Sequence, residues 1–386
     1  MGSVTWEFNT PTQIIYGSGS IARLSEIIGA NRHVLIVTGG NKPIKERIES
    51  LLPSNENRVD WISVEREPTI DFLLGVCDSY CDNPPDAIVA VGGGSVIDTG
   101  KVISSFVRRP NEIRDYAEVI GKGLPVDQPG LKMIAVPTTA GTGSEVTRNA
   151  VMTIPDSHIK VSLRGKGLYP SVAIVDPELT LNLPPGVTAS TGMDALTQLI
   201  ESLVSIKANP FSQVICRSGL SGIGYHLVDA YQDGQNITAR EGMSYASLMS
   251  GIALANSGLG AVHGFAAVIG GMFGIAHGEI CASLLPAVCS VNIDALMRTN
   301  SHHPALQIYD ECIQLIISKK KTNRLDLIEW LRELHGSIGI RSLSRLGVTS
   351  SSFPEIIART KLSSSIKGNP IDLSDEDLLK ILEFAS

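Results

Sequence analysis

The stretch Val91-Gly92-Gly93-Gly94-Ser95-Val96-Ile97-Asp98-Thr99-Gly100-Lys101 constrains this chain more than any other, because it reads as a strand, a glycine turn and a helix start. The run Ala87-Ile88-Val89-Ala90-Val91 is short, apolar and β-branched, as a parallel strand buried on both faces should be. The glycines let the backbone come close to a ligand, and Ser95 is placed to cap the helix that follows. The free N–H groups and dipole of such a helix start favour an anion such as a pyrophosphate. A triple glycine by itself is also what a plain strand–helix turn uses.

A second loop shifts the balance. Met133-Ile134-Ala135-Val136 is again strand-like and runs into Pro137-Thr138-Thr139-Ala140-Gly141-Thr142-Gly143-Ser144-Glu145-Val146-Thr147. Hydroxyls and glycines are crowded where a strand ends, which is where ligands bind in open α/β sheets. Two such loops, each behind an apolar strand, favour cofactor binding over a solvated surface loop.

The two motifs, in this order, resemble the iron-containing (group III) alcohol dehydrogenase family. The likeness continues through Pro11-Thr12-Gln13-Ile14-Ile15-Tyr16-Gly17-Ser18-Gly19, Val175-Asp176-Pro177, Gly192-Met193-Asp194-Ala195-Leu196 and Gly368-Asn369-Pro370. It implies an α/β N-terminal Rossmann-like nucleotide-binding domain with a parallel sheet, plus an all-helical C-terminal domain. This is the architecture shared with dehydroquinate synthase. The implied activity is hydride transfer between a nicotinamide nucleotide and a small aldehyde or ketone, assisted by a metal.

Composition is compatible with this. A chain of 386 residues is long enough for two domains. A formal net charge of −7 argues against a nucleic-acid partner, which needs a basic surface. No apolar run approaches the roughly 20 residues of a membrane span. The start, Met1-Gly2-Ser3-Val4-Thr5-Trp6, lacks the features of a signal peptide, and Trp6 breaks a myristoylation signal. The six cysteines form no CxxC pair. Cys77 and Cys81, one helical turn apart, read as buried small hydrophobes rather than metal ligands. A reducing cytoplasmic location is expected, and the family resemblance implies a homodimer.

Strand and helix patterns alternate up to about residue 180: strands at His33–Thr38, Val59–Val64, Ala87–Val91, Met133–Val136 and Val172–Val175, with a helix at Ile44–Leu52. Beyond Pro184-Pro185 the periodicity is helical. The expected division is an α/β dinucleotide-binding domain over residues 1–180 and an all-α metal- and substrate-binding domain over 181–386.

The resemblance places metal ligands at Asp194, His263 and His277, with the fourth at position 198. There the family motif has His and this chain has Gln198. A further family histidine is replaced by Ala267, which cannot supply a proton. Asp194 and Gln198 share one helix face. His277 follows His263 by 14 residues, so a straight helix would hold them roughly 21 Å apart. If they share an ion, the chain must turn between them, and Gly270, Gly271 and Gly274 offer the places. One carboxylate, one amide and two imidazoles suit Fe²⁺ or Zn²⁺, with a drift toward harder ions such as Mn²⁺. The competing reading is a metal-free pocket in which both histidines pack or bind substrate.

For the nucleotide, the resemblance assigns Gly93, Gly94 and Ser95 to the pyrophosphate, and Thr138, Thr139, Thr147 and Lys160 to phosphate, ribose or nicotinamide. Asp98 and Lys101 read as a surface pair or as support for the loop. Relatives that prefer NAD carry an Asp at the end of the first strand, which repels a 2′-phosphate. Here Gly39-Gly40 stands there, followed by Asn41 and Lys42, so NADP(H) is expected ahead of NAD(H). Arg148, Lys160, Arg164 and Lys166 would suit an anionic aldehyde. Three other readings stay open: a metal-free reductase of the same fold resembling maleylacetate reductases, a lyase resembling dehydroquinate synthase, and a degenerate nucleotide-binding paralogue.

Overall fold

The computed structural model describes residues 5–30, 32–52, 57–118, 120–155 and 159–386. Met1-Gly2-Ser3 and the Asp156-Ser157-His158 segment lie outside the described residues. The chain divides into two compact units. One comprises residues 10–139 and 143–181, and the other comprises 182–386 together with 140–142 and the chain up to Asn9.

The first unit is built on six parallel strands: β1 (Gln13–Tyr16), β2 (His33–Thr38), β3 (Arg58–Ser63), β4 (Ala87–Gly92), β5 (Lys132–Pro137) and β8 (Val172–Val175). Their order is β1-β8-β5-β4-β2-β3. The register runs Ala87 against Lys132 and Gly92 against Pro137, so the two motif-bearing strands end side by side. Leu35, Val37, Ile88, Ala90, Met133 and Ala135 enter one core, while Val34, Ile36, Val89, Val91, Ile134 and Val136 enter the other. Burial on both faces is why these strands read as continuous apolar runs rather than alternating ones.

Helix α1 (Lys42–Leu51) follows β2 and is capped by Asn41, whose Oδ1 accepts from the Ile44 N–H at 3.3 Å. Helix α2 (Ile70–Tyr80) buries Leu73 and Cys77. The Cys77 thiol is pushed up to about 12 by burial, as suits an inert core cysteine. Helix α3 (Gly94–Phe106) follows β4 and packs flat on the sheet. A Cβ on Gly100 would come within 2.8 Å of both Ala90 Cβ and Met133 Cε, so only glycine permits that approach.

Two strands have no counterpart in the sequence reading. β6 (Asn149–Ile154) and β7 (Ile159–Arg164) pair antiparallel, Asn149 against Arg164. Half-buried and buried residues alternate along β6, and β7 mixes them and ends on exposed Arg164; a search for wholly apolar runs passes over both patterns.

The second unit is helical throughout its described residues beyond 181. Four helices carry the site: α4 (Pro185–Val204), α5 (Ile237–Ser257), α6 (Ala261–Phe273) and α7 (His277–Thr299). α5 and α6 meet at 99°, turning through Gly258 at φ 70°. α6 ends at Gly274, φ 66°, in the left-handed conformation that closes helices. By length and apolarity α7 could cross a bilayer, contrary to the sequence expectation that no segment could. Yet 83% of its apolar window is buried within the unit, which makes it a core helix.

Candidate metal and nucleotide site

At the start of α3 the N-cap is Gly93, in extended backbone, and no side chain caps the helix. The expectation that Ser95 would cap it is therefore corrected: Ser95 stands inside the first turn. The Val96 and Ile97 N–H groups both donate to the Gly93 carbonyl, at 3.0 and 3.1 Å. The first-turn N–H groups ahead of them have no intrahelical acceptor, which is the setting in which helix starts bind anions. The second loop lies against this turn. Thr138 N–H donates to the Gly92 carbonyl at 3.0 Å, and a Cβ on Gly93 would stand 3.4 Å from Thr139 Oγ1.

Asp98 and Lys101 are not a surface pair. Both are buried, Lys101 completely. The Lys101 ammonium donates to Ser144 Oγ, Thr147 Oγ1 and the Asn149 carbonyl, each at 2.8 Å. Asp98 accepts from Ser144 Oγ at 2.5 Å and from the Val151 N–H at 2.9 Å. Together they tie α3 to the second loop and to β6. This network uses the Thr147 hydroxyl, and Thr147 is itself buried. Lys160, on β7, is paired with Glu67 at 2.6 Å. Arg164 pairs with Glu118 at 2.9 Å. The structure thus brings Gly93, Thr138 and Thr139 together, while Thr147 and Lys160 are occupied elsewhere. At the end of β2, Gly39 is half-buried and Gly40 exposed.

In the helical unit, α4 presents Asp194, Gln198 and Glu201 at helical spacing. The chain does turn between the two histidines. α6 carries His263 in its first turn and stops at Gly274, and α7 opens on His277. The imidazole centroids are 5.2 Å apart. Asp194 Oδ1 lies 3.4 Å from His263 Nε2 and 3.6 Å from His277 Nε2. Neither approach is aligned as a hydrogen bond, so this buried carboxylate oxygen faces both imidazoles without a hydrogen-bond donor. One member of the cluster was missed. Cys281 Sγ stands 3.5 Å from His277 Nε2 and 3.9 Å from His263 Nε2. Donor atoms of Asp194, His263, His277 and Cys281 all lie within 4.8 Å of one another. The available signal was spacing, since Cys281 follows His277 by one helical turn.

Gln198 sits beside this group. Its Oε1 accepts from Ser250 Oγ at 3.0 Å, and its Nε2 donates to Asp194 Oδ2 at 3.3 Å. Glu201, also missed, accepts from His263 Nδ1 at 2.7 Å and from the Val262 N–H at 2.6 Å. Asn369, in the quoted Gly368-Asn369-Pro370 motif, accepts from the Ala261 N–H at 3.3 Å. The start of α6 is thereby held by two side chains. Burial pushes the His263 imidazole down, but Cys281, Asp194 and Glu201 outweigh it and hold its pKa well above the ordinary value. Burial pushes the Asp194 carboxyl up, and the two histidines more than offset it. A carboxylate, a thiol and two imidazoles converging at this range fit a divalent cation.

Two family models cover nearly the whole chain. The iron-containing alcohol dehydrogenase model matches residues 11–177, and the Fe-containing alcohol dehydrogenase C-terminal model matches 188–386. The chain belongs to the iron-containing alcohol dehydrogenase family. Among its relatives, 4-hydroxybutyrate dehydrogenase of Cupriavidus necator is 34% identical over 82% of each chain. NADPH-dependent butanol dehydrogenase of Clostridium saccharobutylicum is 31% identical over 97% of each. Among solved structures, a 1,3-propanediol oxidoreductase matches with a TM-score of 0.89 at 29% identity, over 99% of this chain and 100% of that one. As a member of the family, the chain is an NAD(P)-dependent oxidoreductase that acts on the CH–OH groups of small alcohols or on the corresponding aldehydes, and it uses a divalent metal.

Proposed function

We propose that Asp194, His263 and His277 hold one divalent ion and that the chain interconverts a small primary alcohol and its aldehyde there, with NADP(H) favoured over NAD(H). The observation that carries this reading is the four-donor cluster, in which the buried Asp194 Oδ1 accepts no hydrogen bond. An ion in that place supplies Lewis acidity to a carbonyl oxygen. A bound nicotinamide nucleotide would supply the hydride chemistry.

The chain's own residues do the rest. Asp194 provides the carboxylate charge, and Gln198 keeps its other oxygen oriented through the Nε2 hydrogen bond. Glu201 fixes the His263 ring so that Nε2 faces the cluster. The His277 side chain is 35% exposed, so the site reaches solvent on that side. Water there, or a nucleotide hydroxyl, serves the proton that Ala267 cannot supply.

In the nucleotide unit, Gly93, Gly94 and Ser95 present backbone N–H groups to the pyrophosphate, and Thr138 and Thr139 contact phosphate, ribose or nicotinamide. Thr147 and Lys160 act one step back, by holding the second loop and β7 in place. NADP(H) preference rests on Gly39, which leaves no carboxylate at the end of β2 to repel a 2′-phosphate. A cytoplasmic homodimer completes the proposal.

A metal-free reductase, a lyase and a degenerate nucleotide-binding paralogue are less favoured, because the donor cluster is intact despite Gln198. The test is NADPH and NADH oxidation with propanal, butanal and 4-oxobutanoate, comparing parent protein with Asp194→Ala. The proposal expects turnover in the parent and its loss in the variant. Undiminished turnover in the variant would contradict it.

A further inference from the structure

We propose that the Cys281 thiolate, and not the Gln198 amide, is the fourth protein donor to the ion held by Asp194, His263 and His277. This builds on the reading that the cluster holds a divalent ion.

The geometry is the first argument. Tetrahedral sites with bonds of about 2.0–2.3 Å have donor–donor edges of about 3.3–3.8 Å. Asp194 Oδ1 to His263 Nε2 is 3.4 Å, Asp194 Oδ1 to His277 Nε2 is 3.6 Å, and Cys281 Sγ to His277 Nε2 is 3.5 Å. The fourth measured edge, Cys281 Sγ to His263 Nε2, is 3.9 Å. These separations already approach those of a filled site. His277 and Cys281 are one turn apart on α7, so a single rigid helix sets two of the four donors.

Gln198 is the second argument. A carboxylate only accepts, so the amide group facing Asp194 Oδ2 must be the NH₂. An amide nitrogen has no lone pair to give a metal. Rotating the amide would set its oxygen against the Asp194 carboxylate oxygen, 3.3 Å away, in place of the N–H donor now there. The position that carries a family histidine therefore supports Asp194, and the missing donor is supplied from the other side by α7. Among the described residues Cys281 is the one cysteine in such a donor group.

The consequence concerns metal choice. On binding, the thiol gives its proton to solvent and a sulfur–metal bond forms. A carboxylate and a thiolate together balance a divalent charge, whereas a carboxylate with neutral donors leaves one positive charge. A soft sulfur donor selects zinc over harder ions such as manganese. This reverses the drift toward harder ions that Gln198 suggested in the sequence.

Cobalt(II) reads the site directly. The metal-free protein, its Cys281→Ser variant and its Gln198→Ala variant would be titrated with cobalt(II) under argon and followed by absorption. The proposal expects one cobalt per chain in the parent, with a sulfur-to-cobalt charge-transfer band in the near ultraviolet. The band should persist in Gln198→Ala and vanish in Cys281→Ser, with cobalt affinity at least about tenfold weaker in the latter. One cobalt per chain without that band overturns the proposal while leaving the metal-site reading intact. Absence of any cobalt binding in the parent overturns both. The parent spectrum decides even if Cys281→Ser does not fold.

Discussion

Glu201 Oε2 and His263 Nδ1 are 2.7 Å apart, and both side chains are 5% exposed. The pair joins α4 to the first turn of α6, and it leaves His263 Nε2 as the ring atom facing Asp194 and Cys281. Carboxylates in this position orient a ligating imidazole and raise its basicity. Glu201→Ala should therefore weaken zinc binding by about 10- to 100-fold. Glu201→Gln, which retains an acceptor for Nδ1–H, should lose less. Competition against a fluorescent zinc chelator measures both. Equal losses in the two variants would show that only the charge of Glu201 matters.

Lys101 is the largest departure from a surface reading. An exposed pair with Asp98 would contribute a few tenths of a kcal/mol. A buried ammonium with Ser144, Thr147 and Asn149 as acceptors is a different object. Lys101→Met should destabilise the nucleotide unit by about 3 kcal/mol, because it leaves the buried Asp98 carboxylate without a counter-charge, held by Ser144 and the Val151 N–H alone. A double variant that also replaces Asp98 by Asn should recover part of that. Urea unfolding of the single and double variants measures the coupling, and NADPH affinity should fall with loop order.

Glu145 gives a pH dependence of definite sign. Burial pushes its carboxyl up to about 7, against opposition from its own backbone hydrogen bond and from Lys101. In the fold it keeps its proton to near neutrality, whereas in the unfolded chain it loses it near the ordinary glutamate range. Its contribution to stability is therefore fully present in acid and is lost as pH rises through about 7. The loss amounts to about 3 kcal/mol. Glu145→Gln should match the parent at low pH and exceed it in stability at pH values above about 8. Differential scanning calorimetry across that range reads the difference, and a pH-independent gap would contradict the account.

The proposed preference for NADP(H) is tested at Gly39. A Cβ there would meet only Val64 O at 3.9 Å and Val96 Cγ2 at 4.0 Å, so an added side chain fits without strain. Gly39→Asp should lower the NADPH-to-NADH ratio of kcat/KM by roughly tenfold or more, equivalent to about 1.4 kcal/mol. An unchanged ratio would place nucleotide selection elsewhere.

The parallel sheet was legible because strands buried on both faces leave unbroken apolar runs. β2 and β8 stand where the pattern put them, at His33–Thr38 and Val172–Val175. The turn between His263 and His277 was legible too, since no straight helix lets them meet. Three features were not. β6 and β7 are half-polar, and their partner strands lie near in sequence rather than in a repeating apolar pattern. Lys101 looks like any helix-surface lysine, because its acceptors are more than 40 residues away along the chain. Cys281 was hidden because an isolated cysteine reads as a small hydrophobe until the fold sets it beside His277. The same ambiguity hid Glu201, whose partner enters from a separate helix.

Metal titration of activity tests the central claim most directly. The protein would be stripped of metal and reloaded with zinc or iron(II) under argon, and NADPH oxidation with butanal followed against equivalents added. Activity rising linearly and stopping at one equivalent per chain is the predicted result. Full activity in protein shown by mass spectrometry to carry no stoichiometric metal would contradict it, and would make Asp194, His263, His277 and Cys281 a hydrogen-bonding pocket for the substrate.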